Sequence, residues 1–510
     1  MNIHNNSSKP NAQVANKKQR QHLLLAVCTA LMAVIASVTG LNVAQPMLVN
    51  QLYATQSEVL WMINIYAITL AALLLPLGAA GDKWGRKLML YTGLAIFGIA
   101  NLLAAFSMST IHMFVARFFC GVGAAMIMPV TLSVITTTFP DQERSKAIGI
   151  WTAVAGAGGI FGMFLSAILV DTVGWRWLFA LPILLVIFAA VVGLNSVPNT
   201  KDNSNHPFDF YGVALSIITV IGMVTFLHEG PERGWLDSIT LVGLAASIIG
   251  GFGFVTVEKH HPYPLLDFKF FTKPSLTSGS LTILVWFGVQ AGVFIVLYPF
   301  FQSVLGWSGL LATLALMPMA ILMMLSSAFA PKLVALLGIK LTIIAGIMLG
   351  TFGLALMAML VSVDNGYFSI LPGMICMGLG MGLSMTPSTE AITLSLPQEK
   401  QGVASALNDV TRELGGSLGV ALLGAVFATG YSIAAAKELD KLSISESQAL
   451  QQGIAAAQAL VDKTEGGIIY RVAQESFVSG WQQAMWAGVI TLILLLLYVL
   501  IRGPENKPRR

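Results

Sequence analysis

Residues 77–90 read LGAAGDKWGRKLML, and the reading of this stretch decides the fold. Gly78, Asp82, Lys83, Gly85, Arg86 and Lys87 give the pattern G-x-x-x-D-K-x-G-R-K between two apolar runs. Gly78 and Gly85 permit a tight turn and close helix approach. Asp82 can cap a following helix and meet the positive end of a neighbour. Arg86 and Lys87 hold such a loop on the inner face of a membrane. The plainer alternative is an ordinary basic loop.

Outward from this loop, apolar runs recur along the whole chain. Of 510 residues, 56% are hydrophobic and only 10% charged, with a mean hydropathy of +0.77, against about 25% charged in soluble domains. The runs do not alternate as barrel strands would, so the chain is expected to be a polytopic helical membrane protein. Fourteen runs are marked, at 23–48, 57–80, 87–106, 111–138, 145–170, 177–197, 210–228, 237–257, 276–303, 309–330, 340–361, 367–391, 403–429 and 480–501. With both termini cytoplasmic, most of the 28 Lys and Arg residues fall inside, and an odd count of helices would spoil that bias.

The expected division is a cytoplasmic tail at 1–22, a six-helix half at 23–198 and two linker helices at 199–274. A second six-helix half follows at 275–502, including an outer loop at 430–479, with a tail at 503–510. Residues 1–22 are polar and basic and read as a retained tail rather than a cleaved signal peptide. The outer loop has helical spacing with a break at TEGG (464–467), and a helical hairpin or a plain solvated loop both fit. APKLVALLGIK (330–340) echoes the 77–90 loop in the second half, and internal repeats are a common way to build a transporter. Cys28, Cys120 and Cys376 lie within apolar runs, so no disulfide framework is expected.

The 77–90 pattern resembles the signature between helices 2 and 3 of the major facilitator superfamily. Fourteen helices rather than twelve are similar to its drug:proton antiporter-2 family of quaternary-ammonium and multidrug exporters. The resemblance covers roughly 23–430 and helix 14. TGLNVAQP (39–46) is similar to the family's helix 1 run, matching Thr39, Asn42, Val43, Ala44 and Pro46, but the family's acidic position falls on Ser37. ARFFCGVGAA (116–125) matches Arg117, Gly121 and Gly123 of the helix 4 segment, which implies a role for Arg117 in proton transfer. The helix 5 antiporter motif is degenerate. Gly158 and Gly162 remain, Met163 replaces its proline, and Ser166 and Ala167 replace glycines. Close helix packing explains these small residues equally well.

SALNDVTRELGG (405–416) places Asp409, Arg412 and Glu413 in helix 13. Charge inside a bilayer is costly and usually partnered. Counting from residue 403 at about 1.5 Å per residue, Asp409 lies roughly 9 Å in and Glu413 roughly 15 Å, close to the midplane. The i, i+4 spacing sets both carboxylates on one face, with Arg412 in ion-pair reach of Asp409. Arg412 is expected to neutralise Asp409 near the entrance. Glu413 would then be the deeper acid that takes a proton or faces a cation. A structural ion-pair cluster is the competing reading. Gly415, Gly416, Gly419 and Gly424 read as packing positions, and Glu58, Glu229, Asp237 and Glu390 as acids at helix ends.

A cavity for lipophilic cations calls for aromatic faces and adaptable methionines. Candidates are Asn42, Trp61, Tyr66, Trp286, Phe287, Phe294, Tyr298, Met317, Met319, Met381 and Met385, all equally readable as core or lipid-facing residues. The chain lacks G-x-x-x-x-G-K-[ST] and H-E-x-x-H patterns, so an ATP-driven pump or zinc hydrolase is not expected. The expectation is a monomeric, non-enzymatic, proton-driven exporter of lipophilic cationic or amphipathic drugs in the cell inner membrane. It would need no cofactor or metal and bind no nucleic acid. Export of a metabolite or other organic solute by the same fold is the alternative.

Overall fold

A computed structural model describes residues 16–202, 206–461 and 467–504 of the chain. Among the described residues every regular element is helical, and fourteen helices are long and apolar enough to cross a membrane. They are α1 (Lys17–Gln51), α2 (Gln56–Trp84), α3 (Arg86–Ala105), α4 (Thr110–Thr138), α5 (Asp141–Thr172) and α6 (Ala180–Gly193). Next come α7 (Phe210–Arg233) and α8 (Ser238–His260). The last six are α9 (Pro274–Pro299), α10 (Gly309–Leu337), α11 (Ile339–Leu360), α12 (Tyr367–Ser395), α13 (Gln401–Ala436) and α14 (Gly467–Arg502). A 3₁₀ turn, Trp175–Phe179, leads into α6, and a π-turn, Phe300–Val304, follows Pro299 at the end of α9. Within α10 the helix is interrupted between Ala315 and Met317, just before Pro318, which has no N–H to continue the ladder.

The repeat expected from the two basic loops is present in the backbone. Gly85 (φ 117°) ends α2 and starts α3, and Gly338 (φ 87°) ends α10 and starts α11. Each donates its N–H four residues back, to Gly81 O and Val334 O, in a left-handed conformation that glycine adopts without a Cβ penalty.

Helices α1–α6 form one bundle and α9–α14 the other. Between them, α2 packs on α13 and α5 on α10. In repeat order these are the second and fifth helices of each half exchanging places, as a two-fold axis in the bundle centre requires. The α7–α8 hairpin packs on itself, and α7 rests on α2 and α13. The chain ends share one side, where Arg20 pairs with Glu143 at 3.0 Å and Lys340 Nζ donates to Leu500 O at 2.8 Å.

The connection expected over 430–479 is shorter. α13 runs on to Ala436 and α14 already starts at Gly467, leaving two short helices, Ile444–Gln452 and Ile454–Val461, joined at Gly453 (φ 115°). The start of α14 is amphipathic rather than uniformly apolar, which hides it from a hydropathy reading. Its Phe477 and Trp481 are buried against Phe300, and Phe477 also meets Phe427. Of the expected TEGG break, residues 464–466 lie outside the described residues.

Candidate functional site

On the side of the chain ends the two halves are fastened through the 77–90 loop. Asp82 Oδ1 accepts from Gly402 N at 2.8 Å and Oδ2 from Val403 N at 3.1 Å. These are free amides of the first turn of α13, where a carboxylate is favoured by the helix dipole. Arg86 grips the same carboxylate, with Nη2 at 2.6 Å and Nε at 3.1 Å from Oδ1, and also donates to Gln398 O at 3.3 Å. Gly78 is needed here because a Cβ would stand 2.7 Å from both Gly402 O and Ala406 Cβ. Lys87 Nζ donates to Leu194 O at 2.8 Å, and Lys83 Nζ to His206 O.

A second fastening lies at the other contact between the halves. Ser145 Oγ of α5 donates to Glu390 Oε1 of α12 at 2.6 Å, and a Cβ on Gly149 would stand 2.9 Å from Ser327 O. Glu390 is only 1% exposed. It is therefore no mere interfacial acid, as its position at a helix end suggested. What could have found it is the run of Ser and Thr around it, unusual for lipid contact.

The helix 13 charges come together at the seam between the halves. Arg412 donates from Nη2 to Ala155 O of α5 at 3.2 Å, and its guanidinium lies 4.4 Å from the Phe287 ring and 5.9 Å from the Trp151 ring. Its Nη1 is 3.6 Å from Asp409 Oδ1, which also accepts from Asn408 Nδ2 at 3.3 Å. Asp409 Oδ2 and Arg412 Nε have no hydrogen-bond partner among the described residues. Arg412 partners Asp409 as expected, and both acids are enclosed by protein, but the two differ in exposed surface. Asp409 is fully buried, whereas Glu413 is partly accessible. Glu413 continues the stripe of Gly402, Ala406 and Asp409 that faces α2, and lies within electrostatic range of the Tyr66 phenol.

Arg117 is fully buried in α4. It donates to Ser37 O at 3.2 Å, Ser37 Oγ at 3.1 Å and Met62 O at 3.3 Å, and it lies 4.3 Å from the centre of the Tyr66 ring. Ser37 Oγ in turn donates to Asn101 Oδ1 at 3.3 Å. Gly158 and Gly162 pack α5 on α1, against Met32, Ala36 and Thr39.

The cavity candidates divide. Trp286, Met319, Met381 and Met385 are buried in the core of the second half, with Trp286 packed against Gly350 of α11. They are packing residues here, since long apolar side chains between small-residue helices fill the space that glycines open. Tyr66 is buried and donates to Val34 O at 3.3 Å. Trp61, Phe294 and Tyr298 are half-buried. Asn42 lies on α1, and its side chain lies outside the described residues.

Two helical halves, fastened on one side over a buried charged seam, have the architecture of a membrane transporter. The chain belongs to the Major Facilitator Superfamily, whose profile matches residues 25–420. It is 29% identical over 493 residues to the methyl viologen resistance protein SmvA of Salmonella typhimurium, covering 94% of this chain and 97% of that one. It is 31% identical over 396 residues to the multidrug efflux pump LfrA of Mycolicibacterium smegmatis, covering 77% and 78%. The fold matches the crystal structure of the human organic anion transporter MFSD10 (TETRAN) with a TM-score of 0.63 at 12% identity, over 95% of this chain and all of that one. The relatives and the fourteen spans fit the drug:proton antiporter family that the motifs resemble.

Proposed function

We propose that the protein exports lipophilic cationic or amphipathic drugs in exchange for protons, as a monomer in the cell inner membrane with both chain ends cytoplasmic. The observation that carries this reading is the α13 seam. A partly accessible carboxylate, Glu413, stands one turn beyond a sealed Asp409 whose charge is offset by Arg412. Glu413 keeps the exposed surface that Asp409 lacks, which supports it as the acid that alternately holds a proton and faces substrate. Arg117 tunes the first half from behind Tyr66. Asp82, Arg86, Lys87, Gly78 and Gly85 hold the cytoplasmic gate shut while the cavity faces out. Gly158 and Gly162 keep α1 and α5 in register during the swing. Similarity to SmvA and LfrA supports a drug substrate, and methyl viologen is an organic dication of the class a carboxylate would recognise.

Reconstituted vesicles loaded with ethidium test this directly. A pH gradient drives efflux by the native protein, and Glu413→Gln abolishes it while the variant still elutes as folded protein. Native-rate efflux by that variant would refute the assignment.

A further inference from the structure

A second carboxyl cluster lies outside the transport seam, where the α7–α8 hairpin meets the gate. Asp209 caps α7, its Oδ1 accepting from Gly212 N at 2.8 Å. Glu258, near the end of α8, accepts through Oε2 from Leu266 N at 3.1 Å. Both residues are under 5% exposed. The two remaining oxygens, Asp209 Oδ2 and Glu258 Oε1, have no donor among the described residues, although the two groups lie in hydrogen-bonding reach of each other. Both converge on Gly212, where a Cβ would collide with each.

Two buried carboxylate oxygens cannot face each other bare. The neighbouring groups do not supply the missing hydrogen. His261 Nδ1 is 4.0 Å from Asp209 Oδ2, beyond hydrogen-bonding distance, and Tyr263 N is directed at that nitrogen at 3.3 Å. Lys400 is turned to Pro264 O at 2.8 Å, and Lys83 to His206 O. Asp82, Asp202, Asp267 and Glu399, around the adjoining cavity of about 440 Å³, are further acids.

We propose that Asp209 and Glu258 are a second proton-binding site, a carboxyl–carboxylate pair sharing one proton that latches the α7–α8 hairpin to the closed gate. The route to the gate is short. Glu258 holds Leu266, the same loop's Pro264 holds Lys400, and Lys400 lies two residues before Gly402, whose amide and that of Val403 bind Asp82. Loss of the proton sets two carboxylates against each other and frees Glu258 to turn towards Lys400, drawing it off Pro264.

The test uses the full chain in lipid nanodiscs, with Glu258→Gln and Asp209→Asn. In either variant an amide donates where the shared proton stood, and Asn still caps α7. The native pair carries a proton that unfolded carboxylates release at neutral pH, so raising the pH removes stability. The expected result is a melting temperature that falls more steeply between weakly acidic and alkaline pH in the native protein than in either variant. One protonated-carboxyl component of the native infrared spectrum is lost in both, and amide protection factors over 264–267 and 400–403 drop with pH only in the native protein. Equal pH slopes in all three proteins, or a native-minus-variant infrared difference spectrum with no protonated-carboxyl band, would overturn the proposal. So would a native melting temperature that depends on sodium at fixed pH, which would assign the pair to a metal cation. None of these readouts depends on drug transport.

Discussion

Arg117 donates from Nη1 to Ser37 Oγ at 3.1 Å, so a hydroxyl receives this arginine where the resembling family has an acid. The contact keeps the geometry of an ion pair and drops its charge. The positive charge of Arg117 is instead met by two backbone carbonyls and the face of Tyr66, and its Nη2 has no hydrogen-bond partner among the described residues.

Ser37→Asp supplies that counter-charge. It should raise the melting temperature of the purified protein, because completing a buried pair relieves an uncompensated cation. Ser37→Val should lower the melting temperature, destabilising the protein by about 1–3 kcal/mol through the unsatisfied guanidinium. A fall with aspartate as large as that with valine would show that the site does not admit a carboxylate.

Breaking the α13 pair should be costly from either side. Asp409→Asn and Arg412→Gln each leave a buried charge alone, at about 3–5 kcal/mol. The double variant should recover part of that loss. Chemical denaturation in mild detergent measures all three, and additive losses would mean that the 3.6 Å separation carries no coupling.

The glycines of α13 are unequal. Cβ atoms on Gly415 and Gly419 would collide with Leu284 O and Gly288 O of α9, whereas at Gly416 the nearest contact is Ala291 Cβ at 3.9 Å. Gly419→Ala should therefore cost about 1–3 kcal/mol or more, and Gly416→Ala should be near neutral. Yields of monodisperse protein on size exclusion distinguish the two outcomes.

At the gate, Asp82→Asn removes the charge that Arg86 and the α13 amides share. Substrate binding should persist while turnover falls, because the contact between α2 and the start of α13 is destabilised and the proposed binding seam is untouched. Equilibrium binding and vesicle efflux measured on one preparation separate these effects, and a parallel loss of both would contradict the separation.

The apolar runs marked the helices in advance because each is read against the bilayer alone, while of the two roles open to Asp82 the structure shows the start of a neighbouring helix, α13, and no cap on α3. What escaped was tertiary. The start of α14 carries Gln474, Glu475 and Gln483 among its apolar residues, so no hydropathy window marks it, although its buried face is continuous. Met319, Met381 and Met385 look the same in a sequence whether they line a cavity or fill a core. Asp409 and Glu413 were ranked by distance along an axis, while their burial depends on how closely α2 and α5 approach. Asp209 and Glu258 are 49 positions apart and acquire meaning only when Gly212 lets their oxygens meet.

The gate at Gly78 and Gly402, and again at Gly149 and Ser327, is main chain against main chain. Side-chain seals flicker as rotamers hop, and ions slip through in those instants. A seal without rotamers yields only when whole helices move apart. An idle protein of this build should therefore be electrically quiet, passing little ionic current until both halves move.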